Sequence, residues 1–379
     1  MHNYNENKIS VLFIIDRIYR GIGGTETQLL RIINGLDKEK FDVKLLVLMK
    51  SPWYEENHMR YKNHLAYIPI YKFKNIITYY HIIKLVYFIK KYKPHIVHTF
   101  FPISNVVGVI AARLAGTRVV ISSRRDFGEW ITPVILFFTK IANLFVSKIV
   151  TNSFAVKKLT TEKEGVNSNK IEVIYNGLNL ELFRSKVKES KGDIRKDLNI
   201  PFGNLIIGTV ANMRLMKRLD TFLFAAKEVI KMRKDVIFII VGTGPEESRL
   251  RRVANDLNIG EFVYFAGRQY DISKYISKFD IAVNCSEKEG LSNTIMEYMA
   301  AGIPTIVSDA GGNPELIKDN INGLTFRIGD YKHLASKIEM LLQNMELKSE
   351  FKQNSLKILQ SLDNNNMLRN YEQFYQKLT

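Results

Sequence analysis

The chain has 379 residues, 46% of them hydrophobic and 25% charged, with one cysteine and a net charge of +17. This is ordinary globular usage with material for two cores, and the lone Cys285 excludes a disulfide scaffold or a cysteine metal cluster. Residues 1–180 carry 26 basic and 13 acidic side chains, a balance of +13, against 29 and 25, or +4, for residues 181–379; the basic half suits anionic partners, lipid before nucleic acid because no nucleic-acid fold signature accompanies it.

Residues 1–8 are polar and the apolar run 11–15 is too short for a signal peptide, so a reducing cytosol is the expected compartment. That run, bounded by charge, predicts a buried parallel strand. It leads into Gly21-Ile22-Gly23-Gly24-Thr25-Glu26-Thr27 and a helical pattern through Leu29, Leu30, Ile32 and Ile33. Strand, glycine loop and helix in that order make a ligand-approach turn. Further strands are expected over residues 43–48, 96–98 and 118–122, with a helix over 106–114, an alternation that predicts a doubly wound sheet. Residues 71–93 interleave Lys72, Lys74, Lys84, Lys90, Lys91 and Lys93 with aromatics. They read either as an amphipathic helix packed on the sheet with a solvated lysine face or as an interfacial membrane element. Residues 130–150 are apolar but interrupted by Lys140, Asn143 and Lys148, which argues for a buried or surface-seated helix rather than a spanning one.

Polar residues from 185 onward mark a linker, taken as 185–200. A second series of strands is expected over 205–210, 236–241, 262–266, 280–283 and 305–307. Pro245 and Pro314 sit where first-turn prolines are favoured and Gly302 where a helix ends. The fold class is therefore α/β with two Rossmann-like units.

The stretch Ser-Glu-Lys-Glu-Gly-Leu-Ser-Asn-Thr-Ile-Met-Glu from Ser286 to Glu297 carries the chemistry. A helix should start between Ser292 and Thr294, placing Glu289 in the preceding loop and Glu297 about one turn inside. The N–H groups and dipole of that start, at Gly290, Leu291, Ser292 and Asn293, suit a diphosphate. The plainer reading is also open, since Thr294 with Glu297 and Ser286 with Glu289 both have capping-box spacing.

Glu289 and Glu297 resemble the Glu-x7-Glu signature of the retaining glycosyltransferases of family 4, and Gly302-Ile303-Pro304 through Ala310-Gly311-Gly312-Asn313-Pro314-Glu315 follows the same pattern. Asn176-Gly177-Leu178-Asn179 with Phe183 resembles the family segment that ends the first domain, Asn179 standing for the usual Asp. Val241-Gly242-Thr243-Gly244-Pro245 resembles its Val-Gly-x-Gly-Pro turn. The resemblance implies the GT-B fold, two Rossmann-like domains facing across a cleft. An acceptor-binding domain would span 1–184, with a C-terminal helix of about 365–379 crossing back to it, and a donor-binding domain 201–364.

The resemblance also implies roles. Lys217, with Arg214 where many members have an arginine at position 212, would neutralise the leaving diphosphate. Glu289 would orient the donor sugar and Glu297 the ribose, while Gly242 and Arg268 would lie against the nucleotide. Gly23, Gly24 and Glu26 would form the loop under the donor phosphates and the acceptor. His98 at a strand end is either structural or catalytic, and the family's next histidine is replaced by a loop containing Arg124, Arg125 and Asp126, which would shape the acceptor pocket. The implied enzyme moves a hexose or N-acetylhexosamine from a nucleotide sugar, a UDP-sugar before others, to a lipid-linked or polysaccharide acceptor in cell-surface glycan biosynthesis. It would need no cofactor or metal and no nucleic acid, and would sit in the cytoplasm on the inner face of the plasma membrane. The rivals are a glycogen- or sucrose-synthase-like transferase with a soluble acceptor, a dinucleotide oxidoreductase and a non-catalytic basic lipid- or RNA-binding protein. Glu26 occupies the sixth position where the dinucleotide fingerprint needs glycine, and the last rival leaves Glu289 and Glu297 unexplained.

Overall fold

The computed structural model describes residues 8–19, 23–59, 64–71, 76–128, 131–190 and 194–379. The chain separates into two units, Met1–Gly177 with Asn364–Thr379, and Leu178–Asp363. The first is built from β1 (Ile9–Ile15), α1 (Gly24–Gly35), β2 (Phe41–Val47), α2 (Pro52–Asn57), β3 (Leu65–Tyr67), α3 (Ile76–Tyr92), β4 (Ile96–Phe100), α4 (Val109–Leu114), β5 (Val119–Arg124), α5 (Pro133–Phe145), β6 (Lys148–Thr151), α6 (Phe154–Glu164) and β7 (Ile171–Val173). Its seven strands are parallel in the order β3-β2-β1-β4-β5-β6-β7. Side chains alternate along β1 with the pleat: Val11, Phe13 and Ile15 join the core under α1 and α2, whereas Leu12 and Ile14 join the core under α3, α4 and α5. A strand buried on both faces must be apolar throughout, which is why residues 11–15 show no alternation.

The second unit comprises α7 (Leu180–Glu189), α8 (Ile194–Asp197), β8 (Leu205–Val210), α9 (Leu219–Met232), β9 (Val236–Val241), α10 (Glu247–Asp256), β10 (Val263–Gly267), α11 (Ser273–Ile276), β11 (Ile281–Asn284), α12 (Asn293–Ala301), β12 (Thr305–Ser308), α13 (Asn313–Leu316), β13 (Leu324–Phe326), α14 (Tyr331–Gln343) and α15 (Met345–Leu359). Its six strands are also parallel, in the order β10-β9-β8-β11-β12-β13. The last helix, α16 (Asn364–Leu378), belongs to the first unit and buries Met367, Leu368, Tyr371, Phe374 and Tyr375 in the α1 and α2 core.

The segment expected as a linker is not one. Residues 180–189 are α7, which packs on α11 and α12 and buries Leu180 and Phe183, and 194–197 are α8. Its polar composition is the solvent side of an amphipathic helix, and the unit boundary lies at Gly177 rather than at residue 184. Asn179 caps α7, its carboxamide oxygen accepting from Leu182 N–H at 2.9 Å. Asp and Asn cap equally well, so the exchange at 179 keeps the local structure. Pro245 precedes the first turn of α10 instead of standing in it, whereas Pro314 lies in the first turn of α13 and Gly302 closes α12 at φ 72°.

Candidate active site

In a doubly wound sheet the loops after the two strands where the order reverses diverge and leave a crevice at the carboxyl ends. In the second unit these strands are β8 and β11, and the loops that follow them carry most of the expected donor residues. The β8 loop is laced to its neighbours by Ala211 N–H to Val241 C=O (2.9 Å) and Met213 N–H to Thr243 C=O (3.0 Å). It then makes a 3-10 turn over Leu215–Lys217, and Arg218 takes a left-handed conformation at φ 46° before α9. The β11 loop is fixed by Glu287 N–H to Met216 C=O (2.8 Å) and by Gly312 N–H to Glu289 C=O (2.9 Å).

Two ion pairs join the loops. Lys217 Nζ meets the Glu289 carboxylate, with side chains only 20% and 16% exposed, and Arg218 Nη1 lies 3.3 Å from Glu287. Half-shielded charges interact more strongly than the ~0–1 kcal/mol of a surface pair. Arg218 also holds Asp220 at 3.3 Å; burial alone would push its pKa down, but Asp220 and Glu287 raise it. Sequence reasoning missed Arg218 and Glu287, although Arg218 directly follows Lys217 and Glu287 lies two residues before Glu289. Arg214 begins the same turn, three residues before Lys217, and its C=O accepts from Lys217 N–H at 2.9 Å.

Beyond the β11 loop, Gly290, Leu291 and Ser292 are buried and Asn293 opens α12. Ser292 is the cap, accepting from Ile295 N–H at 3.3 Å. With Ser292 capping, neither Thr294 with Glu297 nor Ser286 with Glu289 is a capping box, and Glu289 instead faces Lys217. Glu297 is partly exposed on α12, whose opposite side buries Ile295, Met296, Tyr298 and Met299. Tyr298 accepts from Val210 N–H at 2.6 Å and so ties α12 to the end of β8. Gly242 has a reason of its own: a Cβ there would stand 2.1 Å from Ala211 O, and φ is 130°. Its glycine lets the β8 and β9 ends approach each other. Arg268 is exposed just after β10.

In the first unit the order reverses between β1 and β4. A small concavity of ≈ 30 Å³ lies at the ends of β4 and β5 and is lined by Thr25, Phe101, Asn105, Arg125 and Asp126 among others. Asp16, which sequence reasoning missed, joins the loops here. Its carboxylate accepts from Ser104 N–H (2.7 Å), Ile103 N–H (3.2 Å) and the Ser104 hydroxyl, capping the π-helical turn Ser104–Gly108. Burial pushes its pKa up to about 6 against the pull of those bonds.

Not every expected acceptor residue faces this concavity. His98 is fully buried, its ring nitrogens 2.8 Å from the hydroxyls of Tyr375 and Ser123. Burial, reinforced by Arg125, pushes its pKa well down. It is a core residue that links the sheet to α16, which is the structural one of the two readings its strand-end position left open. Arg124 borders the concavity, but its guanidinium is held by Glu164 at 2.7 and 2.9 Å and by Asn143 at 3.0 Å. Burial would raise the Glu164 pKa, yet Arg124 and Asn143 hold it below the usual carboxylate value. Arg124 is therefore committed to a buried ion pair. Arg125 donates to the Tyr371 hydroxyl at 3.3 Å and to Asn176, while its buried Nε–H finds no acceptor among the described residues. Asp126 is exposed at the rim. Gly23 caps α1 and Gly24 opens it, with the buried Glu26 carboxylate folded back to within 2.6 Å of where a Gly23 Cβ would be. That is the reach of a residue in the third helical position toward its own cap, so Glu26 shapes the loop from inside. Gly21, Ile22, Lys72 and Lys74 lie outside the described residues.

Two family models match the chain, Glycosyltransferase Family 4 over residues 22–182 and Glycosyl transferases group 1 over residues 190–358. The sequence is 27% identical over 329 residues to the UDP-Gal:alpha-D-GlcNAc-diphosphoundecaprenol alpha-1,3-galactosyltransferase of Escherichia coli, covering 82% of each chain. It is 29% identical over 242 residues to the N,N'-diacetylbacillosaminyl-diphospho-undecaprenol alpha-1,3-N-acetylgalactosaminyltransferase of Campylobacter jejuni, covering 63% of this chain and 61% of that one. Among solved structures, Anabaena HepE in complex with UDP matches with a TM-score of 0.83 at 20% identity, over 97% of this chain and 100% of that chain. At that identity the likeness bears on the fold, which is GT-B.

Proposed function

We propose that this chain, which belongs to the family 4 glycosyltransferases, is a retaining enzyme that moves a hexose or N-acetylhexosamine from a UDP-sugar to a lipid-linked glycan acceptor. The observation that carries the proposal is the meeting of Lys217 and Glu289 at the β8 and β11 crevice, beside the N-terminus of α12. The E. coli and C. jejuni relatives are named for diphosphoundecaprenol-linked acceptors, the first with a UDP-sugar donor, and these names support the substrate classes chosen.

The mechanism uses those charges separately. The diphosphate would take Lys217, Arg214 and the N–H groups of Gly290 to Asn293 as its counter-charge, so that negative charge developing on the leaving oxygen is stabilised where it forms. Glu289, released from Lys217, would accept hydrogen bonds from the donor sugar, and Glu297 from the ribose. The bond from the anomeric carbon to the leaving phosphate breaks and the acceptor hydroxyl attacks from the same face, its proton passing to the leaving phosphate oxygen. No protein base is needed on this route. Arg125 and Asp126 would contact the acceptor in the first unit.

The nucleotide sugar is a substrate, and neither a metal nor a cofactor is called for. Location follows the acceptor: the cytoplasmic face of the plasma membrane, with Lys84, Lys90, Lys91 and Lys93, all exposed, toward anionic lipid. No helix among the described residues is long and apolar enough to cross a membrane. A thermal-shift comparison of UDP, GDP, ADP and NAD tests the donor. A ligand at 100 times its dissociation constant adds ~2.7 kcal/mol, so UDP is expected to raise the melting temperature most. Stabilisation by NAD alone would return the oxidoreductase reading.

A further inference from the structure

Helix α5 is turned the wrong way round for a soluble surface. It buries Thr139, Ala142 and Asn143 and exposes Val134, Phe137, Phe138, Leu144 and Phe145, Phe137 being 61% and Leu144 76% exposed. Its rotation is fixed from inside. Asn143 accepts from Arg124 at 3.0 Å and donates to Glu164 at 2.7 Å, and Lys170 binds the Asn143 carbonyl at 2.7 Å. Turning the aromatic side inward would strip the buried Arg124 and Glu164 pair of its amide partner, a costly loss for buried charge.

Helices α3, α4 and α5 cover the same face of the first sheet, with α4 packed against both of the others. The outer side of α3 continues the pattern with exposed Tyr80, Ile83 and Tyr87, and α4 adds Leu114. No Asp or Glu occurs in any of the three helices, whereas Lys84, Lys90, Lys91, Arg113 and Lys140 do. An apolar surface whose own helices carry cations and no carboxylates fits an anionic bilayer. It opposes a second copy of itself, because a two-fold contact would set lysine against lysine.

We propose that the outer side of α5, with the adjoining side of α3, is the surface by which this protein lies on an anionic membrane, the aromatic residues of α5 entering the headgroup and acyl boundary. The proposal rests on the lipid-linked acceptor reading and gives it a docking face distinct from the lysine-rich α3 alone. An amphipathic element of this type binds by buried apolar area plus electrostatic attraction.

The test is co-sedimentation with vesicles of equimolar phosphatidylglycerol and phosphatidylcholine, against pure phosphatidylcholine, with UDP-induced thermal stabilisation read on the same preparations. Wild type is expected to sediment with the mixed vesicles. Phe137→Ser with Phe138→Ser, and separately Leu144→Gln, are expected to weaken partition on the order of tenfold while the UDP shift stays at its wild-type size, which also shows that the variants are folded. Equal sedimentation of wild type and variants overturns the proposal, as does a wild type that ignores both vesicles. Dimers dissolved by the same substitutions, without vesicle binding, would make this face a contact between copies and equally overturn it. Loss of any UDP response with vesicle binding retained would strike the donor reading and leave the docking face standing.

Discussion

The ion pair between Lys217 and Glu289 joins two groups that the proposed chemistry uses apart, so substitutions there should divide binding from turnover. Glu289→Gln keeps size and hydrogen bonding but removes the charge near the sugar. It is expected to lower turnover by roughly 10²–10³-fold with UDP affinity largely kept, read by transfer assay and by calorimetry. Glu297→Ala should instead weaken UDP by about 1.5–3 kcal/mol, the worth of hydrogen bonds to a charged group. Abolished UDP binding in Glu289→Gln would show the two roles to be misassigned. Asp16 gives a pH test. Its pKa rises from 3.8 to about 6 on folding, burial outweighing its hydrogen bonds, so between those values the folded state holds a proton that the unfolded state has lost. The sign follows: stability from this group is present below about 4 and is lost as pH rises through 6, by about 3 kcal/mol in all. Melting of Asp16→Asn, which cannot ionise, should therefore gain on wild type as pH goes from 4 to 7, and a constant gap over that range would contradict the burial argument.

At the scale of elements, Gly177, like Gly242, holds chain segments at a distance no side chain allows. A Cβ on Gly177 would lie 2.9 Å from Asn364 Cα and 3.0 Å from Met367 Cβ, where α16 begins against the first unit. Gly177→Ala should cost ~1–3 kcal/mol from overpacking, lowering the melting temperature while the UDP dissociation constant, set in the second unit, stays unchanged. An unaltered melting temperature would mean that α16 yields freely. The motif around Gly177 was legible as a pattern, yet its reason was not, because the backbone that crowds it lies far along the chain. Short strands were also missed: β3, β7 and β13 have three residues each and β6 has four, too few for a period to register. The second half of amphipathic α7 reads as linker in the sequence because the helix's buried side is only Leu180 and Phe183. The start of α12 was legible to the residue range, since Ser292 is a strong cap followed by helical spacing.

For the whole molecule, the two strand and helix series could be read from the sequence because buried parallel strands leave unbroken apolar runs. Partnerships across the chain could not. His98 meets Tyr375 and Arg124 meets Glu164 only because the sheet, α6 and α16 bring them together, and the same buried polar contacts hold both His98 and Arg124 in the scaffold. On the proposed mechanism the charge for the leaving group is that of Lys217, Arg214 and the start of α12, all within one unit, and this set predicts how the enzyme answers to metal removal. Fixed cations and helix N–H groups stabilise a departing diphosphate without a bound ion, and the sequence has no Asp-x-Asp pair of the kind that metal-dependent glycosyltransferases typically use. Transfer is therefore expected to persist in excess EDTA at near its initial rate, while Lys217→Ala should lose activity that added manganese does not restore. An activity that vanishes in EDTA and returns with manganese would assign the leaving-group charge to a metal and remove Lys217 and Arg214 from that role.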